Sequence, residues 1–136
     1  MKTQAYDREK ALAYAHQWAL KRNPAYLDFS RYGGDCTNFI SQCIYAGCNT
    51  MNPKPVYGWY YYSGYQRTAS WTGVPYLYNF LVGNEGAGPF AKEVPLEELV
   101  PGDIIQLSFN GSPFRHSLIV VEKGKAEDVI DAALKA

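Results

Sequence analysis

The segment Gly33-Gly34-Asp35-Cys36-Thr37-Asn38 sets a thiol directly after two glycines and a residue type that caps helices. The glycines let the backbone turn sharply and approach a ligand closely. Asp35 is expected to cap a helix through the amides of Thr37 or Asn38, which places Cys36 in the first turn. There the exposed amides and the positive end of the helix dipole stabilise a thiolate. Asp35 acts against this, because a neighbouring carboxylate disfavours a second anion, but a protonated imidazole beside the sulfur would more than outweigh it. Taken alone, the segment fits a buried structural cysteine as well as it fits a nucleophile.

His116 separates the two readings. The chain has two histidines, and this one opens the apolar run His116-Ser-Leu-Ile-Val-Val121. At the start of a strand it can project from the sheet edge toward a facing helix N-terminus. A Cys–His pair supplied in that way is what nucleophilic thiol catalysis needs. His16 falls within a helical stretch and reads as an ordinary, partly exposed residue.

Other chemistries find little support. Cys36, Cys43 and Cys48 are an odd set within thirteen residues, so a disulfide framework would leave one over. Their Cys-x6-Cys-x4-Cys spacing has no closely paired zinc ligands. No His-x-x-x-His or Gly-x-Ser-x-Gly occurs, and Gly83-Asn-Glu-Gly-Ala-Gly-Pro89 lacks the lysine of a phosphate-binding loop. No metal and no cofactor are expected. Lys plus Arg and Asp plus Glu are equal at 13 each, and the basic residues are scattered, so neither nucleic acid nor an anionic membrane is an expected partner. No run of eighteen apolar residues occurs and Met1–Lys10 lacks the apolar core of a signal peptide, so membrane insertion is not expected and the compartment stays open.

The elements that must position the pair follow from pattern. Residues 7–21 have an apolar stripe at Ala11, Tyr14, Ala15, Trp18 and Ala19, with Asp7 as N-cap and Asn23-Pro24 as the stop. A second helix is expected over 36–46, ended by Gly47 in the left-handed conformation. Residues 49–70 read as irregular, and a long loop in a small domain is usually functional. Thr72 is expected to cap a third helix over 74–81. A Pro-Gly turn at 101–102 then leads to a strand over 104–109, a hairpin signal at Asn110-Gly111 and a returning strand over 115–122. Lys123-Gly124-Lys125 is a further turn, and 129–136 fits a strand or a short helix. The order, helices first and then an antiparallel sheet, is α+β. With 47% hydrophobic and 19% charged residues, the 136-residue chain is expected to fold as one domain over 1–136, either complete or excised from a longer exported protein.

Aromatic residues make up 15% of the chain, with twelve tyrosines. Seven rings fall between Tyr57 and Trp71. Trp59, Tyr60 and Trp71 are therefore expected to contact a sugar or peptide ligand, the alternative being that these rings are all packing.

The stretches GGDCTNFISQCIYAG, SWTGVPYLYNFL and PGDIIQL…FRHSLIVV, in that order, resemble the signature segments of the family called the putative amidase domain. More broadly, the helix-start Cys and strand-start His are similar to papain-like cell-wall hydrolases, the NlpC-type endopeptidases and the CHAP amidases. The resemblance covers Tyr6 to Val121. It implies a papain-like α+β fold, with N-terminal helices packed against an antiparallel sheet. It also implies Cys36 as nucleophile, His116 as base and a third polar residue orienting the His from the following strand, for which Asp131 is the candidate. The family continues with more sheet, whereas this chain ends twenty residues after His116. The implied reaction is hydrolysis of an amide bond in a peptide or peptidoglycan fragment by a monomeric protein. Two alternatives stand beside it: a non-catalytic module binding wall glycan or peptide, and a thiol acyltransferase using the same thioester.

Overall fold

The computed structural model describes residues 3–107 and 116–122. Helix α1 (Arg8–Trp18) starts where the Asp7 carboxylate accepts the Lys10 amide at 3.1 Å, the cap expected from sequence. It buries Ala11 and Ala15 and stops short of Lys21. The Lys21 amide turns back onto the Trp18 carbonyl, and Leu20 is fully exposed, so a further helical turn would have no face to bury.

Helix α2 (Cys36–Cys48) is the central element, packed against α1. Gly47 does not end it. The left-handed residue is Asn49 (φ 51°), and Gly47 lies inside the helix. A Cβ on Gly47 would come within 2.3 Å of the Tyr6 ring and 2.8 Å of the Asp7 carbonyl, while the Asp7 amide donates to the Gly47 carbonyl at 2.9 Å. Gly47 thus serves close approach of the N-terminal segment, not chain reversal.

The stretch expected to be irregular contains a hairpin, β1 (Tyr61–Ser63) and β2 (Gln66–Arg67), paired antiparallel with a register shift. Two helices follow where one was expected. Thr72 ends α3 (Ala69–Thr72), and Gly73 is the N-cap of α4 (Val74–Gly83), with Pro75 in its first turn. A short 3₁₀ turn (Leu96–Glu98) precedes β3 (Ile104–Leu107), which pairs antiparallel with β4 (His116–Ile119), Leu107 facing His116 and Ile104 facing Ile119. The turn before β3 is strapped to the N-terminus: Tyr6 donates to the Gly102 carbonyl at 3.0 Å, and Arg8 pairs with Asp103 at 2.7 Å. The arrangement is α+β with two small two-stranded sheets among the described residues, and α2 also packs on α3 and β4. The Asn110-Gly111 hairpin, the turn at 123–125 and the segment 129–136 lie outside the described residues. Among the described residues, no helix is long and apolar enough to cross a membrane.

The core is aromatic. Trp59 and Trp71 have no exposed surface, and their ring centroids lie 4.5 Å apart. Both indole N–H groups are satisfied from α2, Trp59 on Ser41 Oγ at 3.1 Å and Trp71 on Asn38 Oδ1 at 3.0 Å. Ser41 in turn donates to the Trp71 carbonyl at 2.9 Å. Buried polar groups cost little only when paired in this way.

Candidate active site

Cys36 is the first residue of α2 and His116 the first of β4. The chain reaches α2 through Gly33 (φ 97°) and Gly34 (φ 107°), a left-handed pair that a residue with a Cβ would adopt only under strain. Backbone bonds from Tyr32 and Gly34 to the Phe29 carbonyl, at 2.8 and 3.1 Å, close the turn.

Asp35 does not cap α2 with its side chain. Its Oδ1 instead accepts the Phe29 amide and the Asn38 side-chain amide, each at 3.0 Å, and its Oδ2 accepts from Arg22. Arg22 also pairs with Asp28 at 3.0 Å. The carboxyl of Asp28 is held below its ordinary range by hydrogen bonds from Ser30, with Arg22 adding to the effect. Two consequences follow for Cys36. The anion beside it is already countered by a cation, and the first-turn amides of α2 are not taken up by the Asp35 carboxylate.

The next residue along each element joins the two. Thr37 Oγ1 and Ser117 Oγ are buried and 3.0 Å apart. Ser117 also accepts from Gln106 Nε2 on the paired strand at 3.1 Å, and Gln106 Nε2 donates to the Val74 carbonyl at 3.0 Å. One hydroxyl–amide chain therefore ties the start of α2 to both strands and to the start of α4. The Cys36 sulfur lies 3.8 Å from Thr37 Oγ1.

Cys36 and His116 line the same open groove of about 610 Å³. Its other walls include Tyr32, Arg67, Thr72 and Tyr76, together with Gly33, Gly34 and Gly73. Cys36 is half-buried and His116 exposed. The other two cysteines are different. Burial pushes the Cys43 thiol up to about 12 and also raises that of Cys48.

The expected aromatic contacts need correction. Trp59 and Trp71 are core residues with no surface to offer a ligand, because their N–H groups are drawn inward to Ser41 and Asn38. Tyr60 is half-buried, stacks on Tyr62 at 5.0 Å and is not part of the groove wall. The exposed rings of that stretch are Tyr57, Tyr62 and Tyr65, none of which lines the groove that holds Cys36. The rings that reach the groove are Tyr32 and Tyr76, 73% and 58% exposed. Sequence reasoning passed over both, although Tyr32 directly precedes the glycine pair. Arg67 and Ser117 were missed as well. Only Ser117, at the inward position after His116 in an alternating strand, carried a readable signal. Asp131 lies outside the described residues. Among the described residues, no group of three His, Cys, Asp or Glu is placed to hold a metal ion.

The chain belongs to the family described as "Putative amidase domain", whose model matches residues 5–133. That membership points to hydrolysis of amide bonds. Among curated proteins, "Uncharacterized protein YhbB" of Bacillus subtilis (strain 168) is 43% identical over 125 residues, which is 88% of this chain. The matched region is 38% of that protein's length, so this chain spans well under half of the relative. No solved structure matches the chain significantly.

Proposed function

We propose that this domain hydrolyses an amide bond through a thioester on Cys36, with His116 as base, in a papain-like arrangement. The observation that carries the reading is the shared groove: the thiol and the imidazole line it from α2 and β4, and Thr37–Ser117 pins those elements one residue further on. As the sulfur attacks the carbonyl carbon, His116 takes the thiol proton. The carbonyl oxygen becomes an oxyanion, to which the backbone N–H of Cys36 can donate at the uncapped start of α2. When the C–N bond breaks, His116 returns the proton to the departing amine. Water, deprotonated by the same imidazole, then attacks the thioester, releasing the carboxylic acid and restoring the thiol.

Asp131 is proposed to orient the imidazole, as the family resemblance implies. The resemblance to cell-wall hydrolases supports a peptide or peptidoglycan fragment as substrate. The test is to incubate purified protein with peptidoglycan digests and follow new amino groups and fragment masses. Cys36→Ala and His116→Ala are expected to lower turnover by at least about 10³-fold. Turnover surviving in Cys36→Ala would rule out the thioester.

A further inference from the structure

We propose that Arg67 binds a carboxylate of the substrate, so that the domain selects acidic peptides. The inference rests on reading the Cys36 groove as the substrate site. Arg67 lines that groove and is half-buried, yet no carboxylate pairs with it among the described residues. Arg8 and Arg22 differ, each forming ion pairs with aspartates.

Among the described residues, the groups that hold Arg67 are neutral. Nη1 donates to the Gly64 carbonyl at 2.8 Å and Nε to Thr72 Oγ1 at 3.3 Å. The guanidinium also lies over the Phe29 ring, 4.5 Å from its centroid. These contacts fix the plane of the fork and bring no counter-charge from the described residues. Nη2 has no acceptor among the described residues. Its hydrogens, with the second hydrogen on Nη1, form the end of the fork that takes a carboxylate in two parallel bonds. Among the described residues no Asp or Glu lines the groove, so nothing on its described walls competes for that end. A guanidinium keeps its charge throughout the physiological pH range, and taking it partly out of water without a counter-ion is unfavourable. A ligand that restores the missing anion recovers that loss. The carboxylate could be an acidic side chain or the free end of a peptide, and both present the same planar pair of oxygens.

The test measures binding to the Cys36→Ala protein by NMR shift titration. Acetyl-alanyl-glutamate amide against acetyl-alanyl-glutamine amide reads the side-chain carboxylate. Acetyl-alanyl-glutamine with a free against an amidated end reads the terminal one. At least one carboxylate member is expected to bind about tenfold tighter than its neutral partner, with the preference falling to within about twofold in Arg67→Gln. Equal affinity within both pairs overturns the proposal, and so does a preference that persists in Arg67→Gln. Should that variant not fold, Arg67→Lys keeps the charge but not the fork, and its preference is expected to drop several-fold; an unchanged preference refutes the assignment. Hydrolysis plays no part in these measurements. Residual turnover by Cys36→Ala would count against the thioester alone, whereas absence of a carboxylate preference in the Cys36→Ala protein, or its persistence in Arg67→Gln, would count against Arg67 alone.

Discussion

Removing the Ser117 hydroxyl should disturb the site through its supports. In Ser117→Ala, Thr37 Oγ1 loses its 3.0 Å partner and keeps only the distant Cys36 sulfur at 3.8 Å. Thr37 is 1% exposed, so water does not readily replace the lost bond. Gln106 Nε2 suffers less, because the Val74 carbonyl still accepts from it at 3.0 Å. Leaving one buried hydroxyl unsatisfied costs about 2 kcal/mol, or a melting temperature lower by roughly 6–10 °C for a chain of this size. Thr37→Val should cost less, about 1 kcal/mol, because Ser117 still accepts from Gln106. The double variant removes both partners and should be more stable than the sum of the singles predicts, by about 1 kcal/mol. Urea unfolding of the four proteins gives the cycle, and hydrolysis rates on the same samples show whether Cys36 and His116 have shifted. Additive single effects, or a Ser117→Ala protein within about 0.5 kcal/mol of the parent, would refute the reasoning.

Iodoacetamide near neutral pH should modify Cys36 more than tenfold faster than Cys43 or Cys48, whose thiols are raised by burial; equal labelling by peptide mass spectrometry would contradict this. Stability should fall at alkaline pH. In the unfolded chain the Cys43 thiol and the Tyr14 hydroxyl ionise near about 8.5 and 10, whereas both are pushed up to about 12 in the fold. Their contribution is therefore complete below about pH 8.5 and is lost as pH rises toward 12, the Cys43 share being about 1–2 kcal/mol by pH 10. Urea titrations at pH 8 and pH 10 should show the drop, and Cys43→Ala should reduce it. Gly47→Ala should destabilise by at least about 2 kcal/mol despite the better helix propensity of alanine, because its Cβ would meet the Asp7 carbonyl at 2.8 Å. A rise in melting temperature would contradict the close-approach account.

The local signals in the sequence were read well where they were self-contained. Asp7 caps α1, the glycine pair turns the chain before Cys36, and β3 and β4 pair as the Pro-Gly turn and apolar runs suggested. Misreadings arose where distant contacts decide. Gly47 looked like a helix stop because its Tyr6 neighbour is some forty residues away in sequence. Asp35 looked like a cap because nothing local shows that Arg22, the Phe29 amide and the Asn38 side chain occupy its carboxylate. Trp59 stood in a stretch that read as loop and Trp71 directly after it, and their indole N–H groups are satisfied by Ser41 and Asn38 on a different element. Composition counts rings but does not say which way they face.

The make-up of the groove limits how this domain could be retuned. Gly33, Gly34, Ala69 and Gly73 supply part of the wall with little or no side chain. At Gly33 and Gly34 the positive φ disfavours any replacement even though space is open, and at Gly73 a Cβ would meet the Tyr76 ring at 2.6 Å. Those three glycine positions resist gradual variation. On the proposed reading of the groove as the substrate site, divergence in substrate preference would pass through wall positions that carry larger side chains, among them Tyr32, Arg67 and Tyr76. On that reading, selection of a small library at those three sites for new substrates should return substitutions at them.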